Sequence, residues 1–349
     1  MNNTDINSSE IKALYKLINQ HVETKILMLA CEIKLDEILG DAWHDIEKIS
    51  NYYGYNQEAF CRYLKILEAH KIVIITQNRI AIGALGHYLK YARSPHLINS
   101  YNLIGNIEYS LRHNKENHSE VYQKSCYEYI ASDITRQNQF NSWSSDSLHS
   151  WILPAVVYNY NFSNYNFIIE VNGDGYLLQH IIQQKIAYNE LNVSGQLLCP
   201  RIKKEKAKSI IEEQKLQEYI NVVENYNDVK TPKDGKGLFI FFRTLLALSP
   251  HDVVEKLNYI YDLMPDFGKV LIIDFYIPEK NHEDYILSLI ADMNILTCLG
   301  GGLRTKKDWQ NLVVESKFGS HYKMIESTNN STNGIVPILP ILMLECWKE

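Results

Sequence analysis

Several common classes of protein are made improbable by what this sequence lacks. No apolar run in its 349 residues approaches the roughly 18–20 needed to cross a bilayer, which argues against a membrane-spanning helix. Basic residues are not in excess. Lys and Arg number 35 against 41 Asp and Glu, for a formal charge of −6, the wrong sign for a general nucleic-acid binder. The six cysteines, Cys31, Cys61, Cys126, Cys199, Cys298 and Cys346, contain no C-x-x-C pair. Scattered thiols suit a reducing compartment better than a disulfide frame or a zinc site. Met1 to Glu10 is polar and lacks the basic-then-apolar order of a secretory leader. The expectation is a cytoplasmic protein with no metal, membrane or nucleic-acid partner.

What is present suits a globular enzyme. Apolar residues make up 46% of the chain and charged residues 22%, and this length exceeds one ordinary core, so two domains are expected. The first third reads as helices followed by a small wing. Ile11, Leu14, Leu17, Ile18 and Val22 recur at helical spacing, and Leu35 to Leu39 makes a short helix. Asp45 to Tyr53, Gly54 and Gln57 to His70 form a helix-turn-helix pattern. Ile72–Thr76 and Arg79–Ile82 then flank a polar turn as a hairpin. Together these make a winged helix, although Glu58, Glu68 and the acidic total argue against DNA contact. Residues 85–150 look helical and rich in tyrosine.

From Phe167 the texture changes to alternating strands and helices, the pattern of a mostly parallel sheet covered on both faces. Strands are expected at Phe167–Val171, Gln196–Cys199, Gly237–Phe242 and Lys269–Phe275. Helices are expected at Tyr176–Gln184, Lys204–Gln217 and Asp252–Met264. Ile335 to Leu344 reads as a last strand pair broken by its prolines. Glu170-Val-Asn-Gly-Asp-Gly175 is a strand ending in an acid, then a glycine turn, then a helix. Glycines let a backbone approach a ligand, and a helix N-terminus favours electronegative groups. Alone, this hexapeptide is equally readable as a plain tight turn.

The order of segments resembles the two-domain O-methyltransferases of the caffeate, hydroxyindole and bacterial polyketide type. The resemblance covers nearly the whole chain. It runs through the winged helix at 35–85, the glycine turn and Arg243-Thr-Leu-Leu, then Leu263-Met-Pro265 and Gly268-Lys-Val-Leu-Ile-Ile-Asp274 with Pro278. It ends on Gly300-Gly-Gly-Leu-Arg-Thr305, Asp308-Trp309 and Phe318-Gly319. It implies an α/β fold with three parts: a helical winged-helix dimerisation domain at 1–100, a pocket-lining helical linker at 101–160, and a Rossmann-like class I methyltransferase domain at 161–349. It also implies a homodimer, a small aromatic or polyketide-type substrate, and S-adenosylmethionine as cofactor. Glu170, Asn172, Gly173, Asp174, Gly175 and Arg243 are the residues that would hold that cofactor.

The sequence departs from the family pattern at the chemistry. Leu198 stands where the family has the acid that grips the ribose hydroxyls, and an unmade buried hydrogen bond costs roughly 1–3 kcal/mol. The family's general-base histidine aligns with Ala247. Of the two glutamates that orient that histidine, one aligns with Asp274 and the other with Leu303. His251, about one helical turn beyond Ala247, and His149, in the segment that lines the family's acceptor pocket, are candidate stand-ins alongside Asp274. Arg304, Lys306 and Lys307 are candidate anion ligands. These departures leave room for two other readings, non-methylating chemistry on the same scaffold (pericyclase, hydroxylase or decarboxylase type) and a non-catalytic dimeric pseudo-methyltransferase.

Overall fold

The computed structural model of the chain describes residues 8–93, 95–190, 192–199, 201–231, 237–325 and 338–348. In chain order the first third holds α1 (Ser8–Glu32), α2 (Leu35–Leu39), β1 (His44–Asp45), α3 (Ile46–Tyr52), α4 (Gln57–Ala69), β2 (Val73–Thr76) and β3 (Arg79–Ile82). Six helices follow: α5 (Pro95–Gly105), α6 (Ile107–His113), α7 (His118–Tyr122), α8 (Cys126–Ala131), α9 (Ile134–Ser147) and α10 (Leu153–Asn159). The sheet domain is β4 (Phe167–Val171), α11 (Tyr176–Ala187), β5 (Ser194–Leu198), α12 (Arg201–Glu213), β6 (Ile220–Val223), β7 (Gly237–Phe242), α13 (Pro250–Leu263), β8 (Lys269–Ile277), α14 (Tyr285–Leu299), β9 (Arg304–Thr305), α15 (Lys306–Glu315), β10 (Tyr322–Ile325) and β11 (Ile341–Trp347).

Two compact units emerge. The first joins residues 1–99 with 133–144, and the second joins 100–132 with 145–349. In the first, the helix-turn-helix is started by side-chain caps. The Asp45 carboxylate accepts from the N–H groups of Glu47 and Lys48, and Asn56 accepts from that of Ala59. Each satisfies donors that a helix start leaves unpaired. β2 and β3 pair as the expected hairpin, and β1 adds to the edge of β3. Leu35, Leu39, Ile46, Leu64, Leu67 and Ile80 fill this unit's core.

The second unit is built on one sheet in the order β6-β5-β4-β7-β8-β11-β10. β6 through β8 run parallel, whereas β11 is antiparallel to β8, and β10 to β11. Successive residues of a strand face opposite sides, and here both sides are apolar. Ile168, Ile240 and Leu271 pack with Leu178 and Ile182 of α11 and Ile211 of α12. Ile169, Phe239 and Ile272 pack with Leu257 and Ile260 of α13 and Trp309 and Leu312 of α15. Burial on both faces explains the unbroken apolar runs at 237–242 and 270–273.

The sheet domain differs from the sequence-based expectation at β6, β10 and β11, and helices α14 and α15 were not anticipated. β6 was not anticipated, because Ile220–Val223 is a short run at the sheet edge, buried only at its two ends. The expected strand pair within 335–344 is instead one strand, β11, running on to Trp347 and paired with the unforeseen β10. Residues 335–337 lie outside the described ones. Pro340 precedes β11, where a missing N–H costs the ladder nothing.

Candidate active site

In an open parallel sheet, ligands bind beyond the carboxyl ends of the strands where the strand order reverses. Here the chain runs outward from β4 through β5 to β6, then returns to lay β7 and β8 on the other side of β4. The reversal therefore lies between β4 and β7. The glycine turn leaves the end of β4, and Arg243 follows the end of β7.

The turn is shaped from beneath by Glu170. This residue is fully buried, and its carboxylate accepts from the Gly175 N–H at 3.1 Å and the Leu178 N–H at 2.9 Å. Its negative charge sits against the start of α11, where orphan N–H groups favour it. Gly173 is glycine because of this arrangement, since a Cβ there would lie 1.8 Å from Glu170 Oε1. Asn172 and Gly175 take left-handed backbone, at φ 58° and 82°, which bends the chain from strand to helix. The Asn172 N–H donates to Leu198 O at 2.7 Å and ties the turn to β5. Glu170 is thus the support of the turn, and its carboxylate is engaged by the turn's own amides. Asp174 is half-buried beside it.

Several buried polar atoms near these strand ends have no hydrogen-bond partner among the described residues. The Arg243 guanidinium lies 5.0 Å from the Phe275 ring, and Trp151 stacks on that ring at 5.6 Å with 21° between planes. Arg243 Nε, Trp151 Nε1 and Asp274 Oδ2 are all buried without a partner among the described residues, as is Gln179 Nε2 on α11. Native interiors leave few such atoms, and each calls for an explanation. Asp274 itself is 1% exposed. Burial pushes its carboxyl up to about 7, although the Phe275 N–H and the Arg304 and Arg243 cations pull the other way. Arg243 takes left-handed backbone at φ 55°. Burial lowers its affinity for a proton, opposed by Asp274 and Asp174.

A second glycine run closes the site. A Cβ on Gly301 would lie 2.0 Å from Leu246 O, and the Gly302 N–H donates to the same carbonyl at 2.8 Å. Asp292 of α14 accepts from the Leu303 N–H at 2.6 Å. Arg304 donates to Leu245 O at 3.2 Å and Leu248 O at 2.5 Å, with Trp309 beneath it at 5.2 Å. The loop carrying Ala247 is therefore clamped from two sides. Arg304, expected as an anion ligand, spends its donors on carbonyls, and Lys306 lies 5.4 Å from the Tyr276 ring. Leu303 and Leu198 are both packed into apolar clusters.

The structure brings Glu170, Asn172, Gly173, Asp174, Gly175, Arg243 and Asp274 to the same strand ends. The histidines are placed differently. His251 is 78% exposed on the first turn of α13, with Asp252 and Glu255 as its ion-pair neighbours. None of its described contacts reaches Asp274 or Arg243, because Pro250 starts the helix there and turns that position to solvent. His149 is exposed on a short π-helical turn, its Nδ1 2.7 Å from the Ser145 carbonyl of its own helix. Sequence reasoning did not single out Phe275, Gln179 or Asp292. An aromatic directly after the strand-end acid was the available signal for Phe275. The other two read as ordinary helix residues.

Comparison with known proteins gives the chain's family and fold. The O-methyltransferase domain family matches residues 105–319. The chain belongs to that family. Among solved structures it superposes on the mitomycin 7-O-methyltransferase MmcR with a TM-score of 0.79 at 16% identity, covering 99% of this chain and 100% of that one. Human N-acetylserotonin methyltransferase in complex with SAM gives 0.76 at 15% identity, covering 100% and 99%. LaPhzM gives 0.78 at 18% identity, covering 97% and 99%. At these identities the likeness establishes the fold alone. A segment is 44% identical over 84 residues to 3'-hydroxy-N-methyl-(S)-coclaurine 4'-O-methyltransferase 2 of Papaver somniferum, covering 22% of this chain. The chain spans 24% of the length of that relative and 16% of that of its paralogue. No helix among the described residues is long and apolar enough to cross a membrane.

Proposed function

We propose that this chain transfers a methyl group from S-adenosylmethionine to a hydroxyl of a small secondary metabolite, aromatic or polyketide-type. The carrying observation is the set of buried polar atoms, unpartnered among the described residues, near the strand ends that carry a glycine turn opening a helix. The residues present fit the cofactor at its charged end. Arg243 Nε is a buried donor with no partner among the described residues, suited to a carboxylate, and glycine at 173 and 175 leaves two of the four turn positions without a side chain. Leu198 offers no acceptor for ribose hydroxyls, so the adenosyl end is held more weakly. When bound, S-adenosylmethionine supplies an electrophilic methyl group on a sulfonium.

Titration of the purified chain with S-adenosylmethionine and with S-adenosylhomocysteine by calorimetry tests this. We expect both to bind, more weakly than where an acid stands at the Leu198 position. Leu198→Asp should tighten both by about tenfold, the worth of one recovered hydrogen bond. No heat and no thermal stabilisation at millimolar concentrations of either would contradict the assignment.

We also infer a homodimer through the first unit. Along α1, Ile11, Leu14, Tyr15, Ile18 and Val22 recur at helical spacing on one face and are 43–69% exposed. An apolar stripe of this kind marks an interaction surface. In a twofold pairing each side chain is buried twice, at roughly 1.5–3 kcal/mol each. Leu14→Lys with Ile18→Lys is therefore expected to give a folded monomer in light scattering. Retention of the dimer would place the interface elsewhere. The described geometry favours neither non-methylating chemistry nor a pseudo-enzyme.

A further inference from the structure

We propose that Asp274 is the proton acceptor for the hydroxyl that is methylated, with Oδ2 as the accepting atom. The assignment rests on the methyltransferase reading above and deepens it. Asp274 lies toward the carboxyl end of β8, one strand beyond β7 and the reversal of strand order, with Arg243 after β7 and Arg304 of β9 acting on it. Its two oxygens are in different situations. Oδ1 accepts from the Phe275 N–H at 2.9 Å, while Oδ2 is buried with no hydrogen-bond partner among the described residues. A carboxylate oxygen left without a donor is costly unless something else supplies one, and the hydroxyl of a bound acceptor is such a donor.

The other candidate bases are occupied or displaced. The Glu170 carboxylate supports the glycine turn. Asp292 holds the Leu303 N–H. His149 and His251 are exposed, as described above. Ala247, in the clamped loop, has no proton-accepting group. The charged groups acting on Asp274 are Arg304 of β9 and Arg243 after β7, with the Phe275 and Leu246 N–H groups adding to them. Facing it across the sheet is Leu342 of β11. No cation lies within ion-pair distance among the described residues, so the carboxylate is neither locked in its charged form nor permanently neutral. A base that ionises near neutral pH combines availability with driving force.

The balance of the step is simple. The acceptor's O–H bond breaks, its electron pair stays on oxygen, and the proton moves to Asp274 Oδ2. The oxygen forms a bond to the methyl carbon, and the electron pair of the methyl–sulfur bond leaves with the sulfur as a neutral thioether. The carboxylic acid then returns its proton to water.

The experiment uses the full chain with S-adenosylmethionine and a panel of catechols, hydroxyindoles and polyphenols. With a methylated acceptor in hand, kcat/KM is expected to rise with pH along a limb centred near 7. Asp274→Asn should lower kcat by about 10²–10⁴-fold, change KM by less than about threefold, and remove the limb. Asp274→Glu should restore part of the rate, with the limb shifted. Infrared difference titration of the ligand-free protein should show one carboxyl ionising near pH 7 that is missing from Asp274→Asn. The proposal is overturned if the Asn variant keeps wild-type kcat with the limb intact, or if both proteins titrate alike. A wild type that binds cofactor yet methylates nothing refutes the methyltransferase reading and this assignment with it. An active wild type with an equally active Asn variant refutes the assignment alone.

Discussion

Gly173→Ala is expected to abolish S-adenosylmethionine binding and to destabilise the chain by several kcal/mol. The added methyl would lie 1.8 Å from Glu170 Oε1, 2.6 Å from Cδ and 2.7 Å from Cγ. The carboxylate can yield only by surrendering the Gly175 and Leu178 N–H groups, leaving a buried charge and two buried donors unmatched. Losses of that kind cost roughly 1–3 kcal/mol per group and more for a charge. Cofactor binding fails as well, because the same motion displaces the turn that presents backbone to the ligand. Chemical denaturation and calorimetry read the two effects separately. Glu170→Gln is the comparison: its amide can keep one acceptor on the turn, so the loss should be smaller. A Gly173→Ala variant with wild-type stability would show that Glu170 does not support the turn.

Asp274→Asn should raise stability at alkaline pH while leaving it nearly unchanged in acid. The native carboxyl holds its proton up to about pH 7, against 3.8 for the ordinary side chain. The folded state therefore binds a proton that the unfolded state has released. This contribution is fully present below about pH 4 and is lost as pH rises to about 7. Each pH unit in that window removes about 1.4 kcal/mol, so wild type should weaken by roughly 4 kcal/mol at most. The Asn variant stays neutral and lacks this slope. Its unpartnered amide N–H groups cost about 1 kcal/mol at any pH, and above pH 8 it should be the more stable protein. Parallel pH–stability curves for the two would mean that Asp274 is not buried as described. A base that weakens its own fold in the ionised form is a familiar compromise between stability and activity.

The fold was largely legible because its signals are periodic and local. Alternation of apolar strands with amphipathic helices announces a covered parallel sheet, and the helix-turn-helix pattern has its helix starts at Asp45 and Gln57, where Asp45 and Asn56 supply the caps. β6 and β10 escaped because they are four-residue edge strands whose residues make no distinct pattern. The site was legible in part. The glycine turn was read from its own residues, because a glycine in a strand-to-helix turn carries its own chemistry, whereas Arg243 and Asp274 were named through the family resemblance. Glu170 was grouped with the ligand contacts, and only the three-dimensional turn shows that its carboxylate serves Gly175 and Leu178. His251 and His149 drew attention as titratable groups near the expected loop. Their exposure depends on how α13 and the π-helical turn are oriented, which spacing does not encode. Asp292 works through the Leu303 N–H just past the far end of its own helix, and Gln179 lies in the first turn of α11 near Gly175, contacts that no residue pattern marks.

Transfer of an isotopically labelled methyl group is the most direct test of the central claim. The full chain is incubated with methyl-labelled S-adenosylmethionine and the hydroxylated acceptor panel, and the products are read by mass spectrometry. The account predicts labelled O-methyl ether on at least one aromatic or polyketide-type hydroxyl, with stoichiometric S-adenosylhomocysteine, and loss of both in Gly173→Ala. Cofactor bound at saturation with no label transferred to any acceptor, or transfer that survives in Gly173→Ala, would contradict it.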